Sequence, residues 1–64
     1  MFIYRITFFG LDNKAITHDE FECQSDAEAT DLGEIRFTLS NEFGAAILTR
    51  DGNVIRHYQT ARAR

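Results

Sequence analysis

Sixty-four residues with a single cysteine, Cys23, permit one small domain and exclude a disulfide within the chain. A chain this short buries only about 60% of the surface its unfolded form exposes, so good packing or self-association must supply its stability. Hydrophobic content of 44% argues against disorder, no apolar run approaches the ~20 residues that span a bilayer, and a pI near 5.1 argues against a dedicated nucleic-acid module.

The opening "FIYRITFF" (2–9) is aromatic and β-branched, which predicts a strand. Alternation sets Phe2, Tyr4, Ile6 and Phe8 on one face and Ile3, Arg5, Thr7 and Phe9 on the other. "GLDNK" (10–14) predicts a turn. A second strand follows from Ala15 to Cys23. Its apolar residues Ile16 and Phe21 have opposite parity, so a bulge near His18–Glu20 is expected.

Ser25 and Glu28 form the spacing of a capping box, and Asp26 joins Glu28 at the positive end of the helix dipole. Leu32, Ile35, Leu39 and Phe43 recur at helical spacing and are expected to line the buried stripe, with Phe37 pointing away. Gly44 is placed to end the helix. A competing reading ends the helix at Gly33 and makes 34–40 a strand, because "EIRFTLS" alternates polar and apolar residues and Thr30, Gly33, Thr38 and Ser40 are poor helix formers.

Asp51-Gly52 between two apolar runs predicts a closing hairpin, pairing Thr49 with Val54 and Leu48 with Ile55. Residues 60–64 are expected to be a flexible basic tail. The predicted architecture is an α+β domain over 1–59, ordered ββαββ, with a four-stranded, mainly antiparallel sheet and one helix packed on one face.

Two kinds of site chemistry are open to these residues. Cys23 with His18 or His57 would be a nucleophile–base pair, but no Gly-rich elbow, cysteine-protease signature or oxyanion site accompanies it. No enzymatic activity is expected. His18, Glu20 and Glu22 share one strand face and could converge on a metal, yet no second cluster completes a ligand set. Such charges more often protect a sheet edge, so neither metal nor cofactor is expected.

The charge is unevenly placed. Residues 1–42 hold nine acids against Arg5, Lys14 and Arg36, whereas 43–64 hold Asp51 against four arginines. Asp19, Glu20, Glu22, Asp26 and Asp31 form a candidate acidic face; Arg50, Arg56, Arg62 and Arg64, near His57 and Tyr58, form a candidate basic patch. Apolar residues also exceed what one helix can cover: Ile3, Phe9, Ile47, Val54 and Phe37 are left over as a candidate interface.

The leading expectation is therefore a small non-enzymatic interaction module, forming a homodimer or binding a protein partner. One alternative is a phage- or mobile-element-type inhibitor whose acidic face blocks a nucleic-acid-binding host protein. Another is nucleic-acid binding through the basic hairpin and tail, which the acidic majority opposes. One unpaired cysteine and an N-terminus without a signal-peptide pattern fit a cytoplasmic setting, with no membrane partner.

The segments Tyr4-Arg5-Ile6-Thr7-Phe8, Phe21-Glu22-Cys23, Ser25-Asp26-Ala27-Glu28-Ala29 and Gly52-Asn53-Val54-Ile55 resemble a group of short bacterial proteins of alphaproteobacterial type. These share a YRxxF start, FEC or FEA followed by DA, and a late GxxV hairpin. The resemblance covers most of the chain but departs in the helix, which is poorer in alanine here. It implies the same fold and setting, and no catalytic residue.

Overall fold

Among the described residues, four antiparallel strands, β1 (Phe2–Phe9), β2 (Ala15–Cys23), β3 (Ala45–Arg50) and β4 (Asn53–Gln59), form one sheet in the order β2-β1-β3-β4, and a single helix crosses one of its faces. The computed structural model describes residues 1–39 and 42–60. Strand β1 (Phe2–Phe9) is central, and its alternation is realised: Tyr4, Ile6 and Phe8 are buried while Ile3 is exposed. A tight turn leads into β2 (Ala15–Cys23), the first edge strand. The Gly10 N–H donates to the Lys14 carbonyl at 2.9 Å, and Asn13 takes the left-handed conformation (φ 66°) that asparagine tolerates.

The parity conflict in β2 is resolved earlier than expected. Phe8 pairs with Thr17 but Phe9 with Ala15, so the irregularity falls at Ile16 rather than at His18–Glu20. From Thr17 onward the register is unbroken. This puts Thr17, Asp19, Phe21 and Cys23 on the helix side, and His18, Glu20 and Glu22 on the other.

Strands β3 (Ala45–Arg50) and β4 (Asn53–Gln59) close through Asp51 (φ 54°) and Gly52 (φ 80°), both left-handed as a two-residue hairpin turn requires. Thr49 pairs with Val54 as expected. Leu48, however, pairs with Arg56, because a bulge absorbs Ile55, which packs against the edge of the core. Thr60, assigned to the flexible tail, donates its N–H to the Gly44 carbonyl at 3.1 Å; residues 61–64 of that tail lie outside the described residues.

Helix α1 (Asp26–Leu39) begins at the capping box. The Glu28 N–H donates to Ser25 Oγ at 3.2 Å, and Glu28 Oε1 accepts from the Gln24 N–H at 2.9 Å. Residues 34–39 are helical, so the long-helix reading holds over the competing strand. The rotation of the helix, however, differs from expectation. Ala29 and Gly33 are buried against the sheet with Phe37 half-buried beside them, whereas Leu32, Ile35 and Leu39 are 39%, 54% and 79% exposed. Phe37 is thus an inward residue; its ring stacks on Tyr58 at 5.9 Å between centroids. Phe43 belongs to the connection into β3 instead of the helix and stacks on Phe8 at 4.7 Å.

The reason is steric. The sheet already supplies bulk in Tyr4, Ile6, Phe8, Leu48 and Tyr58, so the helix must bring small residues to approach closely. A Cβ added to Gly33 would lie 2.6 Å from the Tyr58 hydroxyl oxygen, and that hydroxyl donates to the Thr30 carbonyl at 2.7 Å. The side chains with the strongest apolar signal are therefore left outside.

Candidate functional site

Among the described residues two apolar surfaces are uncovered, on opposite sides of the sheet and helix. The first is the sheet face away from the helix. Directly paired residues lie on the same side of an antiparallel sheet, so the register places neighbours in rows across the strands. One row runs Glu20, Arg5, Thr49 and Val54; the next runs His18, Thr7, Ile47 and His57; a third ends with Phe9, Ala45 and Gln59. Ile3, beside Glu22, and Val54 are exposed, and Phe9 and Ile47 are half-buried. Four of the five residues expected to form an interface thus gather here, and Phe37 does not. Arg5 bridges to Glu20 at 2.7 Å within the face, so this pair is internally neutralised.

The second surface is the outer stripe of α1, Leu32, Ile35 and Leu39. It borders a groove of ≈ 400 Å³ lined by Asp31, Glu34, Ile35, Thr38 and Leu39. Helical spacing sets Asp31, Glu34 and Thr38 along one flank of the stripe and Arg36 along the other. Helical periodicity alone places this stripe in the core. The signal that points the other way is the run Ala29, Gly33, Phe37 at i, i+4, i+8, which sets two small residues and one ring opposite a Tyr- and Phe-rich sheet.

The five candidate acidic residues do not share a surface. Asp19 lies on the helix side of β2 and pairs with Arg36; Glu20 and Glu22 lie on the open face; Asp26 is at the helix start; Asp31 is on the outer helix. Three are already ion-paired: Asp19 with Arg36, Glu20 with Arg5, and Asp26 with Arg50. In the basic patch, Arg50 donates to Asp26 Oδ1 at 3.0 Å and its guanidinium lies 4.5 Å above the Phe2 ring centre. Arg36 is held in the same way, 4.8 Å above Phe21. Arg56 is exposed, while Arg62 and Arg64 lie outside the described residues.

Asp26 also accepts from the buried Tyr4 hydroxyl at 2.6 Å, so one carboxylate ties β1, α1 and the end of β3 together. Cys23 is 2% exposed beneath the helix, whereas His18 and His57 sit on the opposite face. The sheet itself separates the thiol from either imidazole. Among the described residues no three His, Cys, Asp or Glu side chains form a group that could hold a metal ion, and no helix is long and apolar enough to cross a membrane.

Burial raises the Cys23 thiol above its ordinary pKa, and the Glu28 carboxylate adds to this against the opposing charge of Arg36. Burial likewise raises Tyr4, reinforced by its bond to Asp26 and opposed by Arg50, and it raises Tyr58. All three acids hold their protons more tightly folded than unfolded. Their contribution is fully present below the unfolded thiol value of about 8.5 and is lost as pH rises past it and then past the phenol value of about 10. A melting series from pH 7 to 11 should show Tm falling above about pH 8.5, and Cys23→Ala should delay the fall toward about pH 10. A Tm that stays flat to the alkaline end would contradict this assignment.

No protein-family model matches this sequence, and no curated protein or solved structure shows significant similarity to it.

Proposed function

We propose that this protein is a small, non-enzymatic interaction module that self-associates through its open sheet face. The observation that carries the reading is a sheet face that no layer covers among the described residues, on which Ile47 lies in the central row and Ile3, Phe9 and Val54 lie around it. Twisted sheets pack face to face with their strands about 30° apart, and a second copy supplies a matching face. The charges select the orientation. A two-fold axis perpendicular to the strands would set the acidic β2 strands, with Glu20 and Glu22, over one another. An axis parallel to the strands lays β2 over β4, where Val54, His57 and Gln59 offer no like charge, and β1 over β3.

The size of the face sets the strength. Four strands at ~4.8 Å spacing and five residues at ~3.3 Å rise give roughly 300 Å² in projection. Even allowing for side-chain relief, this falls below the ~800 Å² per partner of a standard stable interface. The dimer is therefore reversible and concentration-dependent. In sedimentation velocity, the mean mass should climb toward the dimer between about 10 μM and 1 mM, as a weak interface of this size dictates. Ile47→Lys should hold the chain monomeric with its circular dichroism unchanged. A strict monomer across the range would sink the proposal.

A further inference from the structure

The geometry points to the outer stripe of α1 as a second docking surface, whose occupant is a basic amphipathic helix of another protein. Three observations meet there. Leu32, Ile35 and Leu39 follow the i, i+3, i+7 spacing with which helices recognise one another, and each is at least 39% exposed. The groove beside them is walled by Asp31 and Glu34. Neither carboxylate makes an ion pair among the described residues, whereas Asp19, Glu20 and Asp26 are each paired with an arginine.

The charge pattern selects the occupant. In an antiparallel pairing of two copies of α1, each flank meets its own counterpart, so Asp31 and Glu34 would face Asp31 and Glu34. In a parallel pairing the acidic flank would meet Arg36, which is already committed to Asp19 and to the Phe21 ring. Neither arrangement brings a free cation to the groove, and like charges across helices destabilise the pair. A foreign helix with apolar i, i+3, i+7 residues and lysine or arginine along one flank satisfies both the stripe and the wall. This surface lies on the far side of the sheet from the proposed dimer face, so both can be occupied at once. The module then presents two such grooves per dimer, pointing outward.

The test uses the intact protein and two synthetic helical peptides. Both carry leucines at i, i+3, i+7; one has lysines along a flank and the other glutamates. The lysine peptide should shift amide resonances around residues 31–39, with affinity that weakens as salt is raised and exceeds that of the glutamate peptide by at least about tenfold. The double variant Asp31→Lys, Glu34→Lys should reverse the preference between the peptides, and Ile35→Ser should weaken both, each without loss of Tm. Equal binding of the two peptides would overturn the inference, as would shifts confined to the sheet face or no binding at all. A dimer that dissociates on Ile35→Ser would overturn it too, by assigning the stripe to a second copy.

Discussion

Gly33→Val should lower stability by about 2–4 kcal/mol, enough to unfold much of a domain this small. The direction is the opposite of what helix propensity predicts. Exchanging glycine for alanine inside a helix normally gains up to about 1 kcal/mol, and valine gains part of that. Here the new Cβ would lie 2.6 Å from the Tyr58 hydroxyl oxygen and 3.2 Å from the adjacent ring carbon. A tyrosine tip can swing aside when it is free, but this one is anchored. Its ring stacks on Phe37, its hydroxyl is bonded to the Thr30 carbonyl, and the residue is 6% exposed.

Gly33→Ala should therefore be net destabilising by about 1 kcal/mol, the overpacking exceeding the propensity gain. The mechanism makes a sharper claim. Tyr58→Phe removes the atom closest to the new methyl, so in the Gly33→Ala background it should cost less than it does alone. Urea denaturation of the four proteins in this cycle should give a favourable coupling of about 1 kcal/mol. Strict additivity would show that the helix can retreat from Tyr58 and that Gly33 does not set the spacing.

Asp26→Ala should cost about 2–3 kcal/mol, from three losses at one carboxylate. The buried Tyr4 hydroxyl loses its acceptor, Arg50 loses its ion pair, and the positive end of α1 loses a negative charge. The first loss dominates, because a buried polar group left unpaired forfeits its hydration with nothing in exchange. Arg50 is one-third exposed and can turn to water. Asp26→Asn should be milder, since an amide oxygen can still accept from Tyr4. Adding Tyr4→Phe to Asp26→Ala should restore part of the loss, read as a higher urea midpoint than that of Asp26→Ala alone. A double variant weaker than Asp26→Ala would show that the carboxylate acts mainly through Arg50 and the helix end.

The elements were largely legible in the sequence because their signals are local. Ser25 and Glu28 announced the helix start, Asp51-Gly52 the final turn, and the alternation of Tyr4, Ile6 and Phe8 the covered sheet face. The rotation of the helix was not legible. Periodicity weighs large side chains, so it chose Leu32, Ile35 and Leu39, whereas the contact is set by how close the backbones must come. Gly33 counted against a helix in that reading, yet it is the point of closest approach. The bulges at Ile16 and Ile55 were equally hidden. Each depends on which partner strand the residue meets, and a single strand's pattern does not contain that. That Ile3, Phe9, Ile47 and Val54 share one sheet face was legible because they follow simple alternation. Phe37 failed with the helix rotation on which it depended.

Those two bulges also shape the open face. Ile16 lies on one edge strand at the level of Phe8 and Phe9, and Ile55 lies on the other edge strand near the level of Leu48 and Thr49. They therefore occupy opposite edges, Ile16 near the end of β1 and Ile55 level with its middle, at Arg5 and Ile6. A bulge sharpens the local right-handed twist. Twist of one hand gives a sheet a saddle shape, high along one diagonal and low along the other. A flat partner could touch such a saddle only along its crest, whereas a second saddle turned about the strand direction nests into it. Under the proposed self-association, two insertions of a single residue, each at a margin, would favour a copy of the same curvature over a planar surface.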